Sequence, residues 1–120
     1  MGGKTILVAD DEPSVREFVV RALGYGGFDV TAAPDGNAAL AALAEKPFDL
    51  LLTDIVMPDL DGIALALKVA KDYPATKIVM MSGYANQRQR AHNLDCLAHE
   101  VIAKPFTLDE IVKRVKAVLA

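Results

Sequence analysis

The sequence predicts an α/β protein with a doubly wound, five-stranded parallel sheet that has helices on both faces. Short apolar runs alternate along the whole chain with segments whose apolar residues repeat at helical spacing, which is typical of βαβ units. One run, residues 50–53, is apolar on both faces, as expected for a central strand covered on both sides. The chain has 120 residues, 52% of them hydrophobic, enough for one real core. We therefore expect a single domain over residues 1–120, with residues 1–3 a disordered or vector-derived N-terminus.

The first βα unit is predicted to be a strand over Thr5–Ala9 and a helix that begins near Pro13. Proline suits a first helical turn because its missing N–H has no partner there. Glycines at positions 24, 26 and 27 end this helix, because glycine tolerates a positive φ. Its expected buried face consists of apolar residues spaced as on one side of a helix: Val15, Phe18, Val19, Ala22 and Leu23.

The second and third units follow the same pattern. A strand over residues 29–32 precedes a helix that follows Pro34-Asp35-Gly36 and ends before Pro47. After the central strand, a third helix is expected to start near Gly62 and to stop before Pro74. The residues expected to face inward are Ala39, Leu40 and Leu43 in the second helix and Ile63, Ala66, Leu67 and Ala70 in the third.

The last third of the chain contains the weakest and the strongest helical patterns. A strand over residues 77–81 is followed by a polar segment, residues 84–97, in which we expect a short or mobile fourth helix. A fifth strand over residues 101–103 leads into a fifth, strongly amphipathic helix. Its expected buried residues are Leu108, Ile111, Val112, Val115 and Leu119.

Composition excludes several classes of protein. The formal net charge of −3 gives no general reason to bind nucleic acid or an anionic membrane. The single cysteine, Cys96, excludes an internal disulfide and fits a reducing compartment. No apolar run approaches the roughly 20 residues needed to span a bilayer. We expect a cytoplasmic protein with no membrane or direct nucleic-acid partner.

Polar residues follow four of the predicted strands at the point where each strand ends. They are Asp10 and Asp11, Asp54, Ser82 and Lys104. Because the carboxyl ends of parallel strands meet at one edge of an open sheet, where such folds bind ligands, these side chains should share a pocket. An aspartate after a strand often merely caps a helix, and a lone lysine there is usually solvated. Four strand ends carrying such groups together favour a functional site.

The chemistry expected of this pocket is metal-assisted phosphoryl transfer. Three ionised aspartates carry a charge of about −3, and Lys104 contributes only one positive charge. A divalent cation is therefore the natural complement. Carboxylate oxygens suit Mg²⁺, with Mn²⁺ as an alternative. Asp54, at the end of the most apolar strand, is the best placed nucleophile for an aspartyl phosphate. Lys104 and Ser82 can contact the phosphoryl oxygens.

These motifs resemble the receiver domain of two-component response regulators. The resemblance covers essentially the whole chain and rests on four motifs: Asp10-Asp11, Leu-Leu-Thr-Asp-Ile-Val-Met-Pro-Asp-Leu-Asp-Gly over residues 51–62, Met-Ser-Gly-Tyr-Ala over residues 81–85, and Lys-Pro-Phe over residues 104–106. It implies a flavodoxin-like, CheY-like (βα)5 fold with strand order 2-1-3-4-5 and a cis Lys104–Pro105 bond.

The resemblance also implies residue roles. Asp54 would be the phosphoacceptor, Ser82 the switch hydroxyl and Lys104 the phosphoryl-binding lysine. Mg²⁺ would be held by Asp10, Asp11, Asp54 and the backbone carbonyl of Val56. The phosphoryl group would come from the phosphohistidine of a histidine kinase or histidine phosphotransferase.

One position departs from the family pattern. Three residues before the lysine, where the family usually has Tyr or Phe, this chain has Val101. Position 101 therefore supplies no ring to the switch that couples the hydroxyl to an aromatic side chain in this family, and Tyr84 is the alternative source of a ring. His92 and His99 lack ligand spacing, and we expect both at the surface.

The predicted function is a phosphorylation-dependent signalling switch that catalyses only its own phosphorylation and dephosphorylation, as a monomer or weak dimer. Its output would pass through protein contacts; similarity to alphaproteobacterial single-domain regulators includes a protease adaptor among the candidates. The chain could also be a receiver from a hybrid histidine kinase or a longer regulator.

A haloacid-dehalogenase-like phosphatase would need an aspartate where Val56 stands, and an FMN carrier would need a Ser/Thr-rich loop after the first strand. A vestigial interaction module remains the other alternative.

Overall fold

The computed structural model describes residues 3–83 and 99–120. In this part of the chain the strands are β1 (Thr5–Ala9), β2 (Asp29–Ala33), β3 (Leu50–Asp54), β4 (Lys77–Ser82) and β5 (Glu100–Ala103). The helices are α1 (Pro13–Tyr25), α2 (Gly36–Glu45), α3 (Gly62–Asp72) and the C-terminal helix α4 (Leu108–Leu119). The fourth helix expected within residues 84–97 lies outside the described residues.

The five strands form one parallel sheet in the order β2-β1-β3-β4-β5. The predicted fold class and strand order are therefore confirmed. The strands agree with the predicted ranges to within one residue at either end. β3 lies at the centre, and all five of its residues are buried, as its uninterrupted apolar run indicated.

The sheet separates two hydrophobic clusters, one on each face. Alternate residues of the central strand feed the two clusters, so that Leu51 packs on the side of α2 and α3 while Leu50 and Leu52 pack on the side of α1 and α4. This alternation follows from the two-residue period of a strand. A parallel sheet buried on both faces brings all strand carboxyl ends to one edge, and that edge positions the candidate site.

The buried face of α3 differs from the predicted one. Leu67 is 53% exposed and Ala70 is exposed, whereas Leu65 and Val69 are buried beside Ile63 and Ala66. The helix is apolar over more than one face, so its sequence fits two registers. The start of α3 is stabilised by its N-cap, where the Asp61 carboxylate accepts a hydrogen bond from the Ala64 N–H at 2.9 Å.

A second correction concerns α1. Phe18, predicted to be buried, is 41% exposed, while Val19, Ala22 and Leu23 are fully buried. The ring of Phe18 lies instead against that of Phe106, with 6.2 Å between the centroids. In this tilted arrangement the two rings pack against each other at the edge of the α1–α4 cluster, although they are not fully buried.

Just before β5, a histidine side chain takes part in the hydrogen bonding between β5 and β4. The His99 imidazole accepts a hydrogen bond from the Ile78 N–H at 3.1 Å through Nδ1, and the His99 N–H donates to the Ile78 carbonyl at 2.7 Å. His99 is exposed, as predicted. Its ring nevertheless extends the pairing between β4 and β5 by one step. Within residues 3–83 and 99–120, no helix has both the length and the apolar character needed to cross a bilayer.

Candidate functional site

The polar residues at the strand ends converge at the carboxyl edge of the sheet. One ligand atom from each of Asp10, Asp11 and Asp54 can be chosen so that all lie within 4.8 Å of one another. Asp10 and Asp11 follow β1, and Asp54 is the last residue of the adjacent β3. The prediction that separate strands assemble one acidic cluster is therefore confirmed in the geometry.

Asp10 is the most firmly held member of the cluster and is fully buried. Its N–H continues the sheet by donating to the Ala33 carbonyl at 3.2 Å. Its carboxylate accepts a hydrogen bond from the Glu12 N–H at 2.9 Å and one from the Lys104 ammonium at 3.3 Å. The backbone carbonyl of Asp10 accepts from the Arg16 guanidinium at 2.8 Å. A buried carboxylate needs such donors, because burial without partners is costly.

Lys104 bridges two of the three carboxylates. Its Nζ lies 3.3 Å from an Asp10 oxygen and 3.3 Å from Oδ1 of Asp54, and its side chain is only 20% exposed. The backbone at this residue is fixed by the Lys104 N–H, which donates to the Ser82 carbonyl at 2.7 Å, and the following Lys104–Pro105 peptide bond is cis. The ammonium thus compensates part of the negative charge that the three aspartates bring together.

The environment of Asp54 disfavours its charged form. Burial raises the pKa of Asp54 above its ordinary value, and the neighbouring Asp10 charge raises it further. The Lys104 ammonium and the Ile55 N–H, which donates to Oδ1 at 3.0 Å, oppose this shift without cancelling it. A second cation beside Asp54 would favour the ionised form.

The donor set fits a hard divalent cation. Three carboxylates, one of them exposed and two of them buried, provide the oxygen ligands that Mg²⁺ or Mn²⁺ prefers. Among residues 3–83 and 99–120, Lys104 is the one cationic side chain that contacts these carboxylates, so this part of the chain leaves the cluster with excess negative charge. An acidic cluster that a single ammonium only partly neutralises has the chemistry of a cation site.

Ser82 and Val56 lie on the same edge. Ser82 ends β4 and is 1% exposed, next to Met81, which is the register partner of Asp54. Val56 lies in the loop after β3, and its side chain is 50% exposed. The structure therefore brings Ser82 to the strand end beside Asp54 and leaves Val56 accessible two residues beyond it.

Several contacts at the site have no signature in the residue pattern. The backbone N–H groups of Glu12 and Ile55 and the hydroxyl of the fully buried Thr53, which donates to the Asp54 carbonyl at 3.0 Å, all act on the aspartates. Arg16 is the one further charged side chain that contacts this group, through the Asp10 carbonyl, among the described residues. A cation in the first turn of α1, at the positive end of the helix dipole, is the signal that could have identified it.

Comparison with known proteins places this site in a family. A sequence model of the response regulator receiver domain matches residues 6–116. The chain is 39% identical over 116 residues to the response regulator receiver protein CpdR of Brucella abortus, and the match covers 97% of each chain. It is 35% identical to the phosphate regulon transcriptional regulatory protein PhoB of Pseudomonas aeruginosa, covering 99% of this chain and 53% of that protein.

The solved structures agree with the sequence comparison. The response regulator protein TrrA of Thermotoga maritima, solved in complex with Mg²⁺ and BeF, superimposes with a TM-score of 0.87 at 32% identity, covering 98% of this chain and all of that one. The fold and the acidic edge define a phosphorelay signalling domain. The chain belongs to the response regulator receiver family of two-component systems. It spans nearly the full length of one relative and about half the length of several transcriptional regulators.

The departure from the family pattern at Val101 is now placed in the structure. Val101 is half-buried in the edge strand β5, opposite Met80 of β4, and packs on the cluster that contains α2 and α3. The β-branched side chain of Val101 is restricted at χ1 and carries no ring. A ring that turns inward cannot be supplied from this position of β5.

Proposed function

We propose that this chain is a phosphorylation-dependent signalling switch in which Asp54 accepts a phosphoryl group from a phosphohistidine of a histidine kinase or histidine phosphotransferase. The observation that carries the proposal is the convergence of Asp10, Asp11 and Asp54 within 4.8 Å, with the Lys104 ammonium 3.3 Å from two of them. Carboxylates gathered around one cation-sized space, beside a lysine, suit phosphoryl transfer.

The proposed step uses the less engaged oxygen of Asp54. Its Oδ1 accepts from the Ile55 N–H and contacts Lys104, whereas Oδ2 meets no hydrogen-bond donor among residues 3–83 and 99–120. Oδ2 attacks the phosphorus atom of the donor, the new O–P bond forms as the P–N bond breaks, and the partner's imidazole leaves with the electron pair. The product is an aspartyl phosphate on Asp54.

The remaining residues bind and neutralise the transferred group. Mg²⁺, held by Asp10, Asp11, Asp54 and the Val56 carbonyl, would supply electrophilic stabilisation of the phosphoryl oxygens, and Mn²⁺ suits the same ligands. Lys104 then exchanges its Asp54 contact for a phosphoryl oxygen, to which it offers a point charge. The Ser82 hydroxyl donates a hydrogen bond to another oxygen.

The output of the switch is proposed to pass through protein contacts. Movement of Ser82 and Lys104 toward the phosphoryl group would pull on the ends of β4 and β5, which these residues terminate. Since Val101 replaces the usual ring, we expect these strand ends to carry the signal; Tyr84, the alternative source of a ring, lies outside the described residues. A coupling of about 1–3 kcal/mol between phosphorylation and partner binding is expected.

Two contexts remain for the output, and the comparisons support each. A stand-alone receiver, with a protease adaptor among its candidate roles, and a receiver from a longer regulator or a hybrid kinase both stay within the proposal, since CpdR matches over nearly its whole length and PhoB over about half of its own. A cytoplasmic location and a monomer or weak dimer complete the proposal. The receiver match over residues 6–116 disfavours the phosphatase and FMN-carrier alternatives.

The proposal is tested by intact-mass spectrometry after incubation with acetyl phosphate and MgCl₂. The wild-type chain should gain one phosphoryl group that hydroxylamine removes and that does not form in EDTA. Asp54→Asn should gain none, whereas Asp72→Asn, which removes an exposed carboxylate at the far end of α3, should react like wild type. A wild-type chain that stays unmodified with MgCl₂ present would support the vestigial module instead.

A further inference from the structure

Arg16 contacts the acidic cluster in an unexpected way. Among the described residues its guanidinium pairs with no carboxylate, although the residue it contacts, Asp10, belongs to the acidic cluster. It donates instead to the backbone carbonyl of Asp10 at 2.8 Å. Arg16 is also the fourth residue of α1, where a positive charge meets the positive end of the helix dipole. Because this position is unfavourable for a positive charge, we infer that the hydrogen bond to the Asp10 carbonyl compensates for the cost.

The carbonyl that Arg16 holds belongs to the peptide group joining Asp10 to Asp11. Asp10 has three further tethers, from its N–H to Ala33 and from its carboxylate to the Glu12 N–H and to Lys104. Asp11 has none of these: it is exposed, and in the described part of the chain no hydrogen bond to its side chain is formed. The orientation of the Asp10–Asp11 peptide group therefore decides where the Asp11 carboxylate points.

We propose that Arg16 is a positioning residue for the cation site, which fixes the Asp10–Asp11 peptide and thereby aims the exposed Asp11 carboxylate into the cluster. This inference rests on the proposed function, because it assigns Arg16 a role toward the proposed Mg²⁺ ligands. Arg16 reaches neither carboxylate oxygen of Asp10, so its contact persists when those oxygens change partners. It acts on cation binding through the backbone and has no contact with the transferred group.

The direction in which cation affinity changes when Arg16 is replaced separates a positioning role from a purely electrostatic one. Removing a positive charge near an acidic cluster strengthens cation binding by Coulomb attraction alone. Removing a group that orients a ligand weakens cation binding, by about 10-fold or more for residues that hold metal ligands in place. Neutral substitution of Arg16 therefore yields opposite results for the two roles.

Titration calorimetry of the whole chain with MgCl₂ provides the test. Arg16→Met should bind Mg²⁺ about 10-fold more weakly than wild type, and Arg16→Lys, which can still donate to the carbonyl, should recover part of the loss. The matched control is Arg21→Met, on the same helix, where Arg21 forms an exposed pair with Glu17 at 3.5 Å. It removes the same charge and should leave the affinity within about 2-fold of wild type.

The contrary outcomes are distinct. Equal or tighter Mg²⁺ binding by Arg16→Met would overturn the inference, and so would a lower Tm without metal combined with unchanged affinity. If Arg16→Met does not fold, Arg16→Gln replaces it with the same expectation, because its amide is too short to reach the carbonyl. A wild-type chain that binds no Mg²⁺ would contradict the proposed cation site itself, and the inference would fall with it.

Discussion

At the residue scale, the site places charged carboxylates in a buried environment that disfavours their charged form. Asp10 is fully buried and Asp54 is 9% exposed, yet in the described part of the chain both carboxylates contact the same ammonium, that of Lys104. Natural proteins accept such an arrangement where function needs it, and groups with perturbed pKa values gather at functional sites for this reason. The metal-free fold is expected to be less stable than the same fold with the charge on Asp54 removed.

Asp54→Asn should therefore stabilise the metal-free chain at neutral pH. Burial raises the pKa of Asp54 above 3.8, its ordinary value, so its contribution to stability is present below that value and is lost as the pH rises through the folded-state pKa. The Asn variant lacks this loss, while Lys104 keeps its partner Asp10. Urea unfolding in EDTA at a series of pH values should show a stability advantage at neutral pH that shrinks as the pH falls.

Asp72→Asn is the control, since it removes an exposed carboxylate for which burial offers no such reason. A constant difference between wild type and Asp54→Asn across the pH series would contradict the assignment, because the effect would then be unrelated to titration of Asp54.

The residue types at the strand ends predict which side chains gather at this edge of the sheet. They do not predict which backbone groups contact those side chains. Asp10, Asp54 and Lys104 were identified because parallel strands bring their ends to one edge. The N–H groups of Glu12 and Ile55 contact the same carboxylates, but every residue carries an N–H, so no residue type marks the ones that matter.

At the element scale, the loop between β3 and α3 depends on a close approach of two backbones. The Gly62 N–H donates to the Ile55 carbonyl at 2.8 Å, and a Cβ added to Gly62 would lie 1.9 Å from the Asp54 carbonyl oxygen. Only glycine allows the start of α3 to lie this near the end of β3. The same approach shapes the loop that carries Val56.

Gly62→Ala should consequently destabilise the fold by about 2 kcal/mol, because the helix start must move away from β3 to admit the methyl group. The matched control is Gly24→Ala in α1, where an added Cβ meets no atom within 4 Å. It should stabilise the chain by about 0.5–1 kcal/mol through the higher helix propensity of alanine. Urea unfolding midpoints measure both, and stabilisation by Gly62→Ala would show that the close approach is not required.

The helices also show where sequence periodicity stops being informative. In α1 the period located Val19, Ala22 and Leu23 correctly, since polar residues separate them from the outer face. In α3 the apolar residues are too many for one face, and the predicted register placed Leu67 inward although it is 53% exposed. The start of α3 also lies against the end of β3 at Gly62, a tertiary contact that periodicity does not include.

At the scale of the whole molecule, the proposed cation site forms only when the sheet is assembled. Its ligands come from the ends of β1 and β3, which are neighbours in space and distant along the chain. The unfolded chain does not hold them together, so a cation binds mainly to the folded state. Binding of this kind adds to folding stability according to concentration and affinity alone.

MgCl₂ should accordingly stabilise the wild-type chain by about 1.4 kcal/mol at roughly ten times its Kd. Leu43→Ala tests whether this gain belongs to the site: Leu43 is 3% exposed in the last turn of α2, at the opposite end of that helix from the site edge. The variant should lose about 2–4 kcal/mol of stability through the cavity it creates. Because distant sites contribute independently, it should keep the same gain from MgCl₂.

Asp54→Asn should behave in the opposite way, with a reduced gain from MgCl₂ and no loss of stability in EDTA. Urea unfolding of the three proteins with and without MgCl₂ measures both quantities. An equal gain in Asp54→Asn and wild type would place the stabilising cation elsewhere on the surface. A gain lost in Leu43→Ala but kept in Asp54→Asn would mean that the core, rather than the acidic edge, controls cation binding.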